Sequence, residues 1–312
     1  MPSLSKPLLT VVLVAGNYRD RFQTCIRSVL AQDIIDQIAI LVYDRAYRPV
    51  RDLPEFEHPQ VRYEAVDRHR TLGQLQKESV LETETEFIAF IEEHVVVPVN
   101  WARESLRVHA DGYTGVTGIF VHGNPKFHWA RIGFRITYGQ YMFSIEDGES
   151  TDIPADNACF IRSKLLKFEK DLELLFNTDV LLTRRLVAEG ERLYRISDVR
   201  LAHSSERTLR GVLRSLFYWN QMYICNLIVT ENWSLPYRAV RLLSMPLAPF
   251  VRLSKGFIKA CRNSVDMKQY LLDAPSVFLL HCGSAVGMFV GMICGYRNSE
   301  WRFTDCETSA FR

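Results

Sequence analysis

Apolar runs alternate with helical patterns along the first two thirds of the chain. Three runs rich in β-branched and other apolar residues lie at residues 8–15, 38–43 and 87–91, and residues 61–65 are predicted to form a further short strand. Such runs are typical of strands that are buried on both faces of a parallel sheet. Residues 22–32 and 72–81 between them have the apolar spacing of helices. The alternation predicts a doubly wound α/β sheet with helices on both faces.

The pattern continues less regularly after residue 100. We predict helices at residues 101–109, 163–168 and 179–189, and strands at residues 115–121, 193–196 and 199–202. The last two strands flank a predicted turn. Residues 127–152 are aromatic without a clear period and are predicted to be irregular.

The apolar run at residues 87–91 ends in three ionisable residues, Glu92, Glu93 and His94. In open α/β sheets, ligands bind at the carboxyl ends of the strands. Glu92 and His94 are two residues apart, so an extended chain directs both side chains to one face. A carboxylate and an imidazole suit a divalent cation such as Mn²⁺, which in turn binds diphosphates. A solvated acidic loop with an incidental histidine explains this trio equally well.

Charge and cysteine content exclude several classes of protein. The chain of 312 residues has a formal net charge of +2, which gives no reason to expect a nucleic-acid partner. Its seven cysteines are scattered and form no CxxC pair, which argues against zinc ribbons and disulfide frameworks. This cysteine usage favours a reduced, cytoplasmic setting.

The character of the sequence changes after about residue 205. Residues 240–262 combine basic and apolar side chains, as in a segment that lies in a membrane interface. Residues 274–296 contain no charged side chain if His281 is neutral, and about 20 such residues span a membrane. The sequence therefore predicts an α/β domain at residues 1–205 and a helical, membrane-associated region at residues 206–312. A buried helical hairpin that closes the domain is the alternative.

Several segments together resemble the family 2 glycosyltransferases, which have the GT-A fold. The opening strand and helix (TVVLVAGNYRDRFQTCIRSVLAQ) match the family at Asn17, Ser28 and Gln32. The second strand (ILVYDRAY) matches at Asp44, the position whose acid reads the nucleotide base. The TLGQLQKE segment matches at Gly73. The resemblance covers about residues 8–205, and it assigns Asn17, Asp44 and Gly73, together with Glu93, to donor binding.

The same resemblance extends to metal, sugar and catalytic positions. FIAFIEEHVVVPVNW resembles the strand with the Asp-x-Asp metal motif, with Glu92 and His94 replacing the two aspartates. His203 matches a late histidine that completes the metal site. DIPADNACFIRSKLL resembles the segment that contacts the acceptor and the donor sugar, with matches at Asp156, Asn157 and Arg162. The helix at residues 179–189 places Asp179 at the position of the general base.

This resemblance implies an inverting, metal-dependent glycosyltransferase. The implied donor is a nucleotide sugar, with a UDP sugar favoured, and the implied acceptor is a glycan or a lipid-linked saccharide. Mn²⁺ is expected rather than Mg²⁺, because the harder Mg²⁺ prefers oxygen ligands over imidazole. The apolar tail, which is similar to that of bacterial family members that work at membranes, places the protein at the cytoplasmic face of a membrane.

Two departures from the family pattern keep alternatives open. Glu-x-His replaces Asp-x-Asp, and Thr178 stands where a second acid precedes Asp179. A degenerate member that binds a nucleotide without transfer is one alternative, and a membrane-anchored interaction module is another. A nucleotidyltransferase is disfavoured, because the loop after the first strand lacks a Gly-rich stretch with a basic residue.

Overall fold

The computed structural model describes residues 6–46, 53–139, 141, 147–262 and 267–308, without the side chains of residues 259, 260 and 262. Its strands are Leu9–Ala15 (β1), Ile38–Asp44 (β2), Val61–Ala65 (β3), Phe87–Ile91 (β4), Val95–Val96 (β5), Gly115–His122 (β6), Gly148–Ser150 (β7), Ala158–Ile161 (β8) and Leu193–His203 (β9). Its α-helices are Arg19–Leu30 (α1), Leu72–Glu82 (α2), Trp101–Ala110 (α3), His128–Tyr138 (α4), Arg162–Leu165 (α5), Leu172–Phe176 (α6), Asp179–Ala188 (α7), Leu209–Thr230 (α8), Leu235–Ser244 (α9), Ala248–Arg262 (α10), Met267–Cys294 (α11) and Ser299–Thr308 (α12).

All nine strands belong to one sheet with the order β3-β2-β1-β4-β8-β6-β9-β5, and β7 pairs with β9. The first four strands in this order are parallel, whereas β8 runs antiparallel to both of its neighbours. β6 and β9 are again parallel to each other. The predicted α/β class, a mostly parallel sheet flanked by helices, is therefore confirmed.

The apolar runs of β1 reflect burial on both faces of the sheet. Alternate side chains of a strand point to opposite faces. Val12 and Val14 contribute to the core that packs on α2, α6 and α7. Val11 and Leu13 contribute to the core on the other face, which includes α1 and α3. Because both faces are covered, every residue of the strand is apolar except Thr10, whose hydroxyl is hydrogen-bonded to that of Thr85 at 2.8 Å.

The structure corrects three details of the predicted elements. The two strands predicted around a turn at residues 197–198 form a single strand, β9, whose pairing with β6 shifts between Gly118 and Ile119. A Cβ on Gly118 would lie 2.2 Å from the carbonyl oxygen of Val199, so the glycine makes room for this bulge. The segment predicted to be irregular contains helix α4, and strand β8 precedes α5. Residues 140 and 142–146 of that segment lie outside the described part of the chain.

The C-terminal region is helical, as predicted, and α8 and α11 pack closely together. Three glycines at a spacing of four, Gly283, Gly287 and Gly291, face α8. A Cβ on Gly287 would lie 2.3 Å from the backbone oxygen of Phe217. Among the described residues, α11 is the one helix that is long and apolar enough to cross a membrane, by length and composition only. Of its most apolar window, 39% is buried inside the protein.

Candidate active site

The pairing of β5 with β9 creates the centre of the candidate site. Glu92 and His94 lie in the short connection between β4 and β5, and Val95 is the register partner of His203 at the end of β9. The backbone N–H of Ser204 donates to the carbonyl oxygen of His94 at 3.1 Å. This ladder holds two histidines that are distant in sequence at the same edge of the sheet.

The side chains of Glu92, His94 and His203 converge on one point. The two Nε2 atoms of the histidines lie 3.0 Å apart. The Oε2 atom of Glu92 lies 3.7 Å from Nε2 of His94 and 3.4 Å from Nε2 of His203. One potential ligand atom from each residue falls within 4.8 Å of the others. The predicted metal-binding residues are thus brought together.

Two further residues hold the Glu92 carboxylate in place. Asn157 donates from its amide nitrogen to Oε2 of Glu92 and accepts from the Glu92 backbone N–H at 3.1 Å. The hydroxyl of Tyr138 donates to the same Oε2 atom at 2.9 Å. Hydrogen bonds of this kind orient a carboxylate and restrict its rotation, as the partners of metal ligands commonly do.

The protonation states suit cation binding. Burial alone raises the pKa of Glu92, but attraction to the neighbouring histidines where they are protonated, together with hydrogen bonds from His203 and the Asn157 amide, outweighs it and lowers the pKa. Burial lowers the pKa of His94 well below its ordinary value, so its imidazole is neutral. One carboxylate oxygen and two imidazole nitrogens form a donor set that suits Mn²⁺ and other first-row transition metals. The residues therefore fit a divalent cation.

Four more carboxyl residues line the cavity of about 440 Å³ that contains this triad: Asp156, Asp179, Glu206 and Glu307. Asp179 begins helix α7, and burial, together with the nearby Glu92, raises its pKa to about 6. Burial and the proximity of Asp179 raise the pKa of Asp156 well above its ordinary range. The amide of Gln76 donates to Oδ1 of Asp156 at 2.8 Å. A carboxyl group with a pKa near 6 can accept a proton at neutral pH.

The residues predicted to bind the nucleotide lie at the ends of β1, β2 and β4 and in α2. The buried Asp44 accepts hydrogen bonds from Arg19 at 2.9 Å and from the hydroxyl of Tyr63 at 2.9 Å. The buried Glu93 accepts from the Gly16 backbone N–H at 2.7 Å. Its carboxyl has a pKa that burial raises to about 7.

Helix α12 covers this edge of the sheet. The backbone N–H of Asn17 donates to the carbonyl oxygen of Thr308 at 2.7 Å. A Cβ on Gly16 would lie only 1.7 Å from the same oxygen, so the loop after β1 and the end of α12 are in close contact. No feature of the sequence pattern indicated that the C-terminal helix returns to the first strand.

Three predicted residues take up positions that differ from their expected roles. Gly73 packs against α6, where a Cβ would lie 2.5 Å from Oδ1 of Asn177. Arg162 does not line the cavity, and its guanidinium donates to the carbonyl oxygen of Val80 at the end of α2 at 2.7 Å. Asn157, expected near the sugar, contacts Glu92. Gly73 and Arg162 therefore lie outside the lining of the cavity, whereas Asn157 joins the triad through its contact with Glu92.

Sequence reasoning missed Tyr138, because it lies in the segment predicted to be irregular. Ala130, Phe134 and Tyr138 are spaced by four residues and are all buried, which is a helical pattern that points to this helix. The acidic side chain of Glu307 on α12 also lines the cavity. No local signal in the sequence places Glu307 beside residues of the first half of the chain.

Comparison with known proteins gives a similarity of fold. No protein-family model and no curated protein sequence matches this chain. The mannosyltransferase PcManGT from Pyrobaculum calidifontis, solved in complex with GDP-Man and Mn²⁺, superimposes with a TM-score of 0.53 at 12% identity, over 94% of this chain and 87% of that chain. S. aureus TarS gives a TM-score of 0.48 at 12% identity, over 92% of this chain and 55% of its own. The chain described here therefore has the fold of a known glycosyltransferase, PcManGT.

Proposed function

We propose that this protein is a glycosyltransferase that uses a nucleotide-sugar donor and a divalent cation. One observation carries the proposal: Glu92, His94 and His203 converge at the carboxyl edge of the sheet, in a cavity that also contains Asp179. The edge is where ligands bind in open α/β sheets. The fold similarity to PcManGT, whose structure contains GDP-Man and Mn²⁺, supports this assignment.

The proposed reaction is a single displacement at the anomeric carbon. An acceptor hydroxyl attacks that carbon and the bond to the nucleoside diphosphate breaks, which inverts the anomeric configuration. Asp179 accepts the proton of the hydroxyl. A cation held by Glu92, His94 and His203 would neutralise charge on the leaving diphosphate. Mn²⁺ is proposed rather than Mg²⁺, because two of the three ligands are nitrogens. A UDP sugar remains the favoured donor.

We further propose that the protein works at the cytoplasmic face of a membrane on a glycan or lipid-linked acceptor. Helices α9 and α10 contain Arg and Lys but no Asp or Glu. Their exposed side chains include Leu235 at 77%, Leu243 at 82% and Phe250 at 58% of the full accessible surface. An apolar surface with only basic charges favours binding to anionic lipids.

The experiment that tests the activity combines binding with transfer. Calorimetry of UDP and GDP with the purified protein, with and without Mn²⁺, is compared with the same titrations of Glu92→Gln. Mn²⁺-dependent binding that the variant loses supports the donor site. A screen of sugar nucleotides with saccharide and lipid-linked acceptors then measures transfer. Binding without transfer by any donor would favour the degenerate, nucleotide-binding alternative.

A further inference from the structure

The cavity that contains the metal triad is also lined by three arginines. Arg21 pairs with Glu93 at 3.3 Å, and the other two are Arg184 on α7 and Arg252 on α10. Arg252 is partly buried, and its guanidinium is hydrogen-bonded to the thioether sulfur of Met288 at 3.2 Å. Arg184 contacts the hydroxyl of Tyr223 at 3.5 Å. Neither Arg184 nor Arg252 forms a salt bridge with a carboxylate anywhere in the described ranges.

An arginine that is partly buried without an anion is unfavourable. A thioether is a weak acceptor and does not neutralise the guanidinium charge. Buried charges in proteins are normally paired, because desolvation of an unpaired ion is costly. Guanidinium groups bind phosphates well, since their planar donors match two phosphate oxygens. The guanidinium of Arg252, whose hydrogen bond goes to a thioether, is therefore able to bind an anion in the cavity.

We infer that Arg252 and Arg184 bind a phosphate group of the acceptor, and that this phosphate belongs to a lipid. The inference rests on the proposed function, since it assigns this part of the cavity to the acceptor. Arg252 lies on α10, whose outward side chains include Phe250, Val251 and Phe257, all at least 41% exposed. A lipid chain on that apolar surface would leave its phosphate within the cavity.

The test compares two phosphate sources. Inorganic pyrophosphate is titrated by calorimetry, and flotation is measured with phosphatidylcholine vesicles that contain or lack a long-chain isoprenyl phosphate. The variants are Arg252→Gln and Arg184→Gln. The control is Lys255→Gln, a basic residue of the same helix that is exposed and does not line the cavity. We expect Arg252→Gln to weaken binding of the isoprenyl phosphate vesicles about tenfold, and Lys255→Gln to change it little.

Equal losses in Arg252→Gln and Lys255→Gln would overturn the inference, as would vesicle binding that ignores the isoprenyl phosphate. Binding of pyrophosphate without preference for the lipid would overturn the lipid assignment. Mn²⁺ titration of the same proteins separates this outcome from failure of the proposed function. If the protein binds Mn²⁺ but no phosphate, the acceptor subsite is wrong and the metal site of the proposed function still stands.

A different set of contacts concerns α12, which lies over the predicted nucleotide edge. Arg45, directly after β2, donates to the carbonyl oxygen of Thr304 at 3.3 Å and to the hydroxyl of Thr308. The backbone N–H of Leu72, which begins α2, donates to the hydroxyl of Thr304 at 3.1 Å. The indole N–H of Trp301 donates to the carbonyl oxygen of Arg68 at 3.2 Å. The helix thus contacts loops after β2 and β3 as well as the loop after β1.

These contacts occupy polar groups of the loops that a nucleotide would contact at this edge. The carbonyl oxygen of Thr308 accepts a hydrogen bond from the backbone N–H of Asn17, and Thr308 is only 2% exposed. Glu307 places a carboxyl group in the cavity, where Ser215 donates to it at 2.8 Å. We propose, as a second inference that also rests on the proposed function, that α12 closes the nucleoside part of the donor site and must move away before a nucleotide binds.

Trp301→Ala tests this proposal in the full chain, because it loosens α12 without altering the triad. The control is Tyr237→Ala, which removes an exposed aromatic ring from α9. UDP and GDP affinities are measured with Mn²⁺, and hydrogen exchange is measured across residues 299–308. We expect about tenfold tighter binding by Trp301→Ala, since a closed state lowers the apparent affinity by the open fraction. We also expect faster exchange in α12 when nucleotide binds the wild type.

Unchanged or weaker affinity of Trp301→Ala would overturn the proposal, because α12 would then be neutral or part of the binding surface. Protection of α12 that stays constant in the presence of bound nucleotide would overturn it as well. Absence of nucleotide binding in both proteins also overturns it. Mn²⁺ binding, measured without nucleotide, then shows separately whether the metal site of the proposed function stands.

Discussion

The Nε2 atoms of His94 and His203 lie 3.0 Å apart, although the two residues are separated by 109 positions in the chain. Both rings are buried, and a third potential ligand, Glu92, approaches the same point. A contact between two imidazoles makes at most one hydrogen bond, whereas a shared cation would engage both nitrogens at once. The three side chains therefore form a possible metal site.

The residues around Glu92 provide the first prediction. Replacing Asn157 by Ala removes an amide donor from the Glu92 carboxylate and should weaken Mn²⁺ binding about 10–100-fold, as loss of a partner of a metal ligand commonly does. His203→Asn should weaken it at least as much. Calorimetry measures both, with Glu149→Gln, which removes half of the surface ion pair with Arg192, as a control. Equal Mn²⁺ affinity in Asn157→Ala and the control would contradict this positioning role.

Metal preference is the second prediction. Because two of the three ligand atoms are imidazole nitrogens, Mn²⁺ should bind at least about tenfold more tightly than Mg²⁺, and Zn²⁺ should compete with Mn²⁺. Chelation should abolish transfer, and Mn²⁺ should restore it. Competition titrations with the three ions measure the order of affinity. Equal binding of Mg²⁺ and Mn²⁺ that survives His94→Ala would place the cation elsewhere.

Asp179 gives a prediction about pH. Its pKa is raised by burial from the ordinary value of 3.8 to about 6, so kcat/KM should increase with pH through about 6 as the base ionises. Asp179→Asn should reduce transfer by about 10²–10⁴-fold. A pH profile that is unchanged near 6 in a residually active variant would assign the base to another group.

The raised pKa of Asp179 also predicts that the ionised carboxylate, which favours activity, lowers the stability of the fold. A carboxyl whose folded-state pKa exceeds its unfolded value destabilises the fold where it is ionised, above about pH 6. Asp179→Asn should therefore increase the free energy of unfolding at pH 7 by ~1–3 kcal/mol. The gain should disappear below about pH 4, where the group is protonated in both states. Urea unfolding at the two pH values measures the difference, and a gain that is independent of pH would have another origin.

The exposed leucines of α9 give a prediction about membrane binding. Leu243→Glu should reduce binding to vesicles that contain anionic lipids by about tenfold, because it places a charge on the apolar surface. The matched control is Val99→Glu, at an exposed position in the loop before α3. Co-flotation with the vesicles measures binding. Equal vesicle binding by the two variants would show that α9 does not contact the membrane.

The crossing of α8 and α11 gives a prediction about stability. Gly287→Ala should reduce the free energy of unfolding by ~1–3 kcal/mol, because its Cβ meets the backbone of Phe217 and the helices must separate. Val286→Ala on the same helix, where Val286 is 54% exposed, should have little effect. Thermal unfolding compares the two variants. Equal midpoints would show that the helices adjust without cost.

Local sequence patterns specified most secondary structure but failed where tertiary contacts decide. β1 and β2 are buried on both faces, so their apolar runs were unambiguous. Strand β9 was misread as two strands, because a bulge beside Gly118 has no local signature that separates it from a turn. Helix α4 was overlooked although Ala130, Phe134 and Tyr138 have a helical spacing, because the aromatic residues of the whole segment at residues 127–152 show no single period.

The sequence by itself determined the α/β class and the position of Glu92 and His94 at a strand end, because side-chain alternation and strand boundaries are local properties. The family resemblance named His203 as a third ligand, but only the tertiary structure decided how distant groups reach this strand end. The pairing of β5 with β9 brings His203 into the triad, α4 brings Tyr138, and α12 returns to β1. These contacts depend on how the sheet and the helices pack in space, and local sequence patterns do not specify that packing.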